Sequence, residues 1–336
     1  GRMLRAISKD WLGAGFVTVI GLAILFFVPV LFDLFEVLQM TKYVVLALFV
    51  LSLAYIWGFG GILSFGQAGF FGLGGYAFAV SSINMGQTTV PFLIAIAVAA
   101  LFAAALGYFM FYGRLSDVYL GVVTLVVTLI LWKLINHTAG PEYVIGTARL
   151  GGFNGIPSIP IMTLPWQPDQ EMEPSHMFQY FMAILIGVYV LLHILIKSKF
   201  GRIAISIREN EVRTGLLGYD VRLYKLAIFT IGGAIGGAAG AMWATYQTFV
   251  DPNIFSLEWS ALCLIWVMAG GVGTLFGPMV GVLALEYLSF QLGQTDFINN
   301  LIIMGVILIF LVLLLPKGLF PTFRDFVTKH WNRRHE

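Results

Sequence analysis

The stretch YKLAIFTIGGAIGGAAGAMWATYQT at residues 224–248 decides the fold, because it is almost wholly apolar and carries small residues at a regular spacing. A run of about 20 mainly apolar residues has the length that a helix needs to cross a bilayer. Small residues four apart share one helix face and let a second helix approach closely in lipid. They form two adjacent rows: Gly232, Gly236 and Gly240 in one, and Gly233, Gly237 and Ala241 in the other. The stretch therefore predicts a tightly packed membrane-spanning helix.

The composition of the whole chain points to the same solvent. Of the 336 residues, 59% are hydrophobic and 11% are charged, whereas soluble domains carry about 25% charged residues. The mean hydropathy is +0.89. The single cysteine, Cys263, excludes an internal disulfide. We therefore expect an all-α polytopic membrane protein that is surrounded by lipid.

Apolar runs of spanning length recur along the chain. We predict about ten transmembrane helices, at 16–32, 43–59, 62–83, 91–112, 118–136, 177–196, 224–248, 257–270, 278–291 and 298–315. Some of these helices are expected to be short or broken. The eighth and ninth segments are short, and a glycine-rich stretch at 58–75 blurs the boundary between the second and third.

Lysine and arginine set the predicted orientation, because they concentrate in cytoplasmic loops. With a cytoplasmic N-terminus, nearly all of them fall inside, and Lys42 and Arg149 remain outside. Both termini are then cytoplasmic. The predicted divisions are a cytoplasmic N-terminal segment (1–15), transmembrane helices 1–5 (16–137), a periplasmic loop (138–176), helix 6 (177–196), a cytoplasmic segment (197–223), helices 7–10 (224–316) and a cytoplasmic tail (317–336).

The outer loop at 138–176 is rich in proline and glycine. One interpretation is an ordered cap over the outer helix ends. The other is a docking surface for an extracytoplasmic partner, and both can hold.

The inner segment reads KSKFGRIAISIRENEVRTGLLGYDV at 197–221. Its apolar residues recur at helical spacing, at Phe200, Ile203, Ala204 and Ile207. A polar stripe follows the other face, at Arg202, Ser206, Glu209 and Arg213. Gly218 is a natural stop, since glycine adopts the left-handed conformation at little cost. The segment is either a connector at the headgroups or a single helix that docks into another protein. Its mixed charge at Arg208-Glu209-Asn210-Glu211 favours docking, because lipid-binding faces are more uniformly basic.

Two further glycine-rich stretches allow a packing and a transport interpretation. Gly273, Gly277 and Gly281 recur every four residues across a predicted break at Pro278, and Gly66, Gly69, Gly72 and Gly75 recur every three. Their glycines either permit close helix packing or permit broken helices whose backbone lines a cavity. On the second interpretation the polar contacts in the translocation path are Ser64, Gln67, Gly69 and Thr274.

Several kinds of chemistry lack their sequence signature. A P-loop requires Gly-Lys followed by Ser or Thr, and Gly-Lys does not occur in the chain. The five histidines have no ligand spacing, so no metal site is predicted. Glu286 is the one good candidate for a carboxylate within the membrane, which weighs against a proton-driven mechanism. We therefore expect no enzyme activity, no bound cofactor and no nucleic-acid partner.

Several blocks together resemble the permease subunits of ABC importers for branched-chain amino acids, urea and short-chain amides. They are LSFGQAGFFGLGGYA (63–77), GGFNGIPSI (151–159), FGRIAISIRENEVRTGLLGYDVRLYKLAIF (200–229), GGAAGAMWA (236–244), GGVGTLFGP (270–278) and LPKGLF (315–320). The resemblance implies an ABC-importer permease with a BtuC-like helix count in a bacterial inner membrane. It also implies a heterodimer with a second homologous permease, a periplasmic solute-binding protein, and two cytoplasmic ATPase subunits that carry the ATP and Mg²⁺.

The resemblance also assigns the inner segment as the part that couples to the ATPase. The implied coupling residues are Arg202, Ser206, Arg208, Glu209, Asn210, Glu211, Arg213 and Gly218. The expected function is ATP-driven import of branched-chain amino acids. Urea, short-chain amides and aromatic acids remain alternative substrates. A stand-alone secondary carrier or facilitator, and a scaffold without transport, remain alternative functions.

Overall fold

The computed structural model describes residues 2–293 and 300–333 and is helical over most of its length. The helices are α1 (Arg2–Leu31), α2 (Leu34–Gly60), α3 (Gln67–Met85), α4 (Thr89–Tyr112), α5 (Asp117–Asn136), α6 (Pro174–Lys197), α7 (Lys199–Glu209), α8 (Glu211–Leu216), α9 (Val221–Gln247), α10 (Leu257–Gly270), α11 (Phe276–Gly293), α12 (Asn300–Leu314) and α13 (Leu319–Arg333). The predicted helical fold class is confirmed.

Within residues 2–293 and 300–333, seven helical stretches are long and apolar enough to cross a membrane. They lie in α1, α2, α4, α5, α6 and α9, and in Ile302–Val327, which joins most of α12 to part of α13 across a turn at 315–318. The other three predicted segments coincide with α3, α10 and α11. The chain is therefore a multi-pass membrane protein. The predicted start of the tenth helix at 298 lies outside the described residues, as do Gly1 and the last three residues of the predicted tail.

Helices α2 and α9 form the centre of the molecule. α2 is buried along most of its length and packs against α6, α9 and α11, while α9 packs against α2, α3 and α4. α1 packs against α6 and leaves most of its apolar surface exposed, as does α5. Such exposed apolar faces suit contact with lipid rather than with water.

Three predicted helix boundaries differ from the structure by five residues or more. α1 begins at Arg2 rather than at 16, so most of the predicted N-terminal segment 1–15 is helical. α2 begins at Leu34 rather than at 43, because Asp33 and Glu36 form a capping box: the Glu36 N–H donates to Asp33 Oδ1 at 2.9 Å, and the Asp33 N–H donates to Glu36 Oε2 at 3.3 Å. α3 begins at Gln67 rather than at 62. Residues 61–66 are non-helical, and Gly61 has φ 69° and ends α2 in the left-handed conformation.

The long outer loop contains short β-strands, which the sequence pattern did not predict. They are β1 (Val144–Ile145), β2 (Ala148–Arg149), β3 (Ile156–Pro157), β4 (Thr163–Leu164) and β5 (Gln167–Glu171), with β6 (Phe249–Val250) following α9. β3 pairs antiparallel with β6, and the Thr245 hydroxyl of α9 donates to the Pro160 carbonyl at 3.0 Å. The loop is thus fastened to the end of α9.

Candidate coupling site

The inner segment folds as the two short helices α7 and α8. Ile203, Ala204 and Ile207 of α7 are buried against the helical bundle, whereas Arg202 and Glu209 are exposed. The Ser198 hydroxyl oxygen caps the start of α7 by accepting from the Gly201 N–H at 3.3 Å. The predicted apolar face and polar face of this helix are therefore separated as the sequence spacing indicates.

The prediction of one continuous helix between 200 and 218 is wrong. The helix is interrupted at Asn210, whose backbone is extended at φ −159° and ψ 99°. The Asn210 side chain accepts from the Arg213 N–H at 2.9 Å and so caps α8. Asparagine favours such caps over helix interiors because its side chain competes for backbone hydrogen bonds. α8 then ends before Gly218, which has φ 94°.

A pair of hydroxyl groups braces the bend between α7 and α8. Ser206 Oγ lies 2.7 Å from Thr214 Oγ1, and the Thr214 hydroxyl donates to the Asn210 carbonyl at 2.9 Å. Because that bond uses the threonine proton, Ser206 is the donor in the first contact. Thr214 is 1% exposed. The two helices therefore hold a defined angle despite the break.

Arg208 fastens α7 to the end of α2. Its Nη1 donates to the Gly58 carbonyl oxygen at 2.5 Å, and its Nε and Nη2 both donate to Glu209 Oε1. The stem of Arg208 passes beside Gly61, where a Cβ would lie 2.8 Å from Arg208 Cγ. Arg208 therefore points into the bundle, while Glu209 keeps 67% of its side chain exposed.

A second tie joins α8 to the start of α9. Lys225 Nζ donates to Glu211 Oε2 at 2.6 Å, and the same ammonium group lies 5.9 Å from the centre of the Phe111 ring in α4. The Lys225 side chain is 11% exposed and that of Glu211 is 53% exposed. The buried cation thus meets its partner carboxylate at the edge of the bundle.

The outer face of α8 and the turn after it expose large apolar side chains. Val212, Leu216 and Leu217 are 73%, 84% and 68% exposed, beside the exposed Arg213. The sequence analysis named the polar stripe and missed this apolar face, since α8 is too short for periodicity to mark it. Apolar anchors surrounded by charges are typical of a protein docking surface.

The glycine rows of α9 allow close contact with three helices. A Cβ on Gly232 would overlap Ile56 of α2, and a Cβ on Gly233 or Gly237 would overlap Ala103 or Ala99 of α4. Gly236 faces Phe70 of α3, with 3.1 Å from the position of a Cβ to the Phe70 Cβ. Gly240 lies against the Phe71 carbonyl oxygen of α3. At Gly240, where the neighbouring atom is backbone, the approach leaves no room for a side chain.

The α10–α11 connection is a tight helical hairpin. Gly277 lies against the Gly270 carbonyl, and a Cβ on Gly281 would lie 2.7 Å from the Trp266 carbonyl oxygen. Gly273 occupies the turn with φ 92°. The predicted break at Pro278 is wrong, because the helix is interrupted at 271–275 and Pro278 is the third residue of α11. Proline is tolerated there because first-turn N–H groups have no helical partner.

The four residues predicted for the translocation path occupy two places. Ser64 and Gln67 are buried at the start of α3, where Gln67 Nε2 donates to Ser52 Oγ of α2 at 2.6 Å and Ser64 Oγ accepts from the Gly66 N–H at 3.1 Å. Gly69 faces Thr128 of α5. Thr274 lies instead in the α10–α11 turn, where its hydroxyl donates to the Gly271 carbonyl at 3.0 Å.

Comparison with known proteins identifies the family to which this architecture belongs. Residues 37–312, from within α2 to within α12, match the family described as branched-chain amino acid transport system / permease component. The chain belongs to this family. The match includes the α7–α8 segment, both of its ties and the glycine rows of α9, so these features lie within the permease component itself.

Individual permeases of the family give the same result. The chain is 30% identical over 295 residues to the high-affinity branched-chain amino acid transport system permease protein LivM of Escherichia coli, covering 82% of this chain and 67% of LivM. It is 29% identical over 301 residues to LivM of Salmonella typhimurium, with the same coverage. It is 24% identical over 289 residues to a probable LivM of Methanocaldococcus jannaschii, covering 78% of this chain and 81% of that protein. No solved structure matches the chain.

Proposed function

We propose that this permease component moves branched-chain amino acids or related small solutes across a bacterial inner membrane in a transporter powered by a separate ATPase. The observation that carries the proposal is the α7–α8 segment. It presents exposed apolar and charged side chains outward, while Arg208 and Glu211 tie it to α2 and α9. A segment with one face exposed to solvent and the other face bonded to the helical bundle suits the transfer of a partner's movement into the bundle.

The proposed partners follow from this arrangement and from the family. Two ATPase subunits bind and hydrolyse ATP with Mg²⁺, and one of them receives the coupling residues of α7 and α8. A second, related permease completes the path, and a solute-binding protein docks on the outer loop that β3 and β6 fasten to α9. The coupling residues Arg202, Glu209 and Arg213 face outward, where an ATPase groove can reach them.

The proposed arrangement in the membrane has ten crossings, with α3, α10 and α11 added to the seven long apolar helices. Shorter or less apolar helices are tolerated there because they are shielded by other helices rather than by lipid. Both termini are cytoplasmic, which places the α7–α8 segment inside and the Lys42–Glu286 pair near the outer surface. The basic residues of α7 and α8 agree with this orientation.

Leucine, isoleucine and valine are the proposed cargo, because the most similar permeases carry branched-chain amino acid transport in their names. Urea, short-chain amides and aromatic acids are the alternative cargoes of the same machinery. Uptake of labelled leucine, urea, acetamide and phenylalanine by the same reconstituted complex separates them. Leucine uptake at a rate no higher than the other three would contradict the assignment.

The decisive experiment compares the complete complex with the chain alone in proteoliposomes. We expect solute uptake only when the second permease, the ATPases, the binding protein and ATP are present. Full uptake by the isolated chain without nucleotide would identify a stand-alone carrier instead. Within the complex, Glu209→Arg with Arg213→Glu should abolish ATPase-driven uptake, whereas Arg114→Glu, an exposed residue after α4, should not.

The translocation path remains a proposal through Ser64, Gln67, Gly69 and Thr274. Its test is Gln67→Leu and Thr274→Leu, each measured for uptake and for assembly of the complex. Reduced uptake with normal assembly supports the path. Because Gln67 also bonds Ser52 in the core, Gln67→Met serves as a second variant that fills the same space without the amide. Normal uptake in all three variants would remove both residues from the path.

A further inference from the structure

A cavity of about 470 Å³ lies where α2, α10, α12 and α13 meet, apart from the coupling site. This volume is within the range of about 300–1,000 Å³ that small-molecule sites occupy. Its lining includes Trp57 of α2, Met268 of α10, Leu308 and Val312 of α12, Lys317 in the turn after α12 and Arg324 of α13. This lining has an apolar part and a cationic part.

The apolar part continues onto the outer surface of the bundle. Leu308 and Val312 project from α12 into the cavity wall, and Val312 is 43% exposed. The adjacent Leu313 and Leu314 are each 72% exposed on the same helix. In a membrane protein such residues face hydrocarbon. The cavity therefore opens beside lipid chains and not only toward water.

The cationic part consists of Lys317 in the turn after α12 and Arg324 in α13. Their side chains are 73% and 61% exposed, so both reach the mouth of the cavity. Asp325 Oδ2 lies 3.6 Å from Lys317 Nζ, and Asp325 Oδ1 lies 4.0 Å from Arg324 Nε. Among the side chains that the structure describes here, two cations and one carboxylate thus lie at the mouth of the cavity.

Two glycines hold together the two turns that border the cavity. Gly271 has φ 117° and Gly318 has φ 89°, and a Cβ on Gly318 would lie 2.5 Å from the Gly271 Cα. The turn after α10 and the turn after α12 are thus in backbone contact. This contact holds Lys317 beside the end of α10, so the charged mouth and the apolar wall are positioned by the fold and do not depend on a ligand.

We propose that this cavity binds one anionic phospholipid, with its phosphate at Lys317 and Arg324 and an acyl chain along Leu308 and Val312. The ligand must combine negative charge with a long apolar chain, because the lining combines cations with a wall that continues into lipid-facing leucines. Basic pockets between transmembrane helices on the cytoplasmic side recognise headgroups of this class. The choice of the inner leaflet rests on the proposed function's orientation, whereas the binding itself does not.

The test measures thermal unfolding of the purified full chain in detergent with added lipid. We expect dioleoyl-phosphatidylglycerol to raise the unfolding temperature by about 5 °C. Dioleoyl-phosphatidylcholine has the same acyl chains without the net negative charge. Glycerol phosphate has the negative charge without acyl chains. Neither is expected to produce the shift. An equal shift with phosphatidylcholine, or with glycerol phosphate alone, would overturn the proposal.

Matched variants locate the effect. Lys317→Gln with Arg324→Gln should remove the phosphatidylglycerol shift. Val312→Trp should also remove the shift, because the larger side chain fills the space of the acyl chain while both cations remain. Arg114→Gln with Lys199→Gln removes two exposed basic residues elsewhere and should leave the shift intact. A shift that survives in both site variants would show that the lipid binds at another place.

Cross-linking of the unaltered chain covers the case in which a variant does not fold. A phosphatidylglycerol with a photoactivatable acyl chain should label the peptide that spans 308–324 and should be displaced by unlabelled phosphatidylglycerol. Labelling confined to other helices would contradict the site. Because neither measurement requires transport, a negative result leaves the proposed function untouched, and failed transport leaves the lipid site untouched.

Discussion

Arg208 of α7 donates a hydrogen bond to the Gly58 carbonyl oxygen of α2 across 150 residues of sequence. Gly58 in turn contacts the α10–α11 turn, since a Cβ on Gly58 would lie 2.9 Å from the Gly273 N. α2 thus stands between the α7–α8 segment and the hairpin that carries Thr274. Arg208 therefore gives α7 a direct contact with α2, in addition to its connection through α8 to α9.

Arg208→Ala should uncouple the complex without preventing its assembly. A hydrogen bond from a charged donor contributes about 1.5–3 kcal/mol, so we expect solute imported per ATP hydrolysed to fall about tenfold. The measurement is the ratio of uptake to ATP hydrolysis in proteoliposomes. Lys199→Ala, at the exposed start of the same helix, is the matched control and should leave the ratio unchanged. A normal ratio for Arg208→Ala would contradict this route.

Glu211→Gln should destabilise the protein more than Lys225→Met. The first variant leaves the Lys225 ammonium buried without its carboxylate, whereas the second leaves a carboxylate that is half exposed to water. We expect the two to differ by about 1 kcal/mol, since solvent screens part of the interaction. Thermal unfolding of the purified chain gives the comparison. The double variant should be more stable than Glu211→Gln alone, and the reverse order would show that the uncompensated Lys225 ammonium is not what destabilises Glu211→Gln.

Gly240→Ala should prevent normal packing of α9 against α3. The added Cβ would overlap the Phe71 carbonyl oxygen, and backbone cannot move aside as a side chain can. We expect a large loss of folded protein in detergent, measured by size-exclusion chromatography.

Gly187→Ala is the control for that experiment, because the position of its Cβ in α6 has no atom within 4 Å. Alanine is the better helix former by about 1 kcal/mol, so this variant should be as stable as the unmodified chain or more stable. Equal behaviour of the two variants would mean that close approach at Gly240 is not required.

Glu286→Gln should retain solute uptake to within about twofold, because the Glu286 carboxylate pairs with Lys42 at 3.3 Å and the proposed mechanism requires no proton carrier. Lys42→Met should be more destabilising, since the Glu286 side chain is 14% exposed and would keep an uncompensated charge. Uptake across a range of pH and thermal unfolding are the two measurements. Abolished uptake in Glu286→Gln with normal assembly would favour a proton-coupled carrier.

The apolar runs of the sequence were sufficient to locate the main helices, because bilayer solvent requires long, continuous apolar segments. They were not sufficient for the ends. α2 starts where Asp33 and Glu36 cap it, well before the apolar run at 43 that marked it in the sequence. Polar capping residues are not part of the hydrophobic pattern, so hydropathy alone predicts helices that are too short at their ends.

The candidate site was located from sequence, but its internal geometry was not. The spacing of Ile203, Ala204 and Ile207 gave the buried face of α7 correctly. The break fell at Asn210 through a side-chain cap, and the ties to Gly58 and Lys225 join residues far apart in the chain. The pairing of β3 with β6 is equally distant. Contacts of this kind depend on tertiary packing, which a single sequence does not encode in any local period.

α9 is a single helix of 27 residues, which makes it about 40 Å long. Lys225 is the fifth residue of α9, and the strand that follows its last turn joins the 138–176 loop. In the proposed orientation this one rod therefore reaches both surfaces of the membrane. If the proposed binding protein and ATPase both favour one position of this rod, each raises the affinity of the other for the permease, and reciprocity makes the two factors equal. Docking of the binding protein outside would then change the affinity of the cytoplasmic face for the ATPase before any solute has crossed.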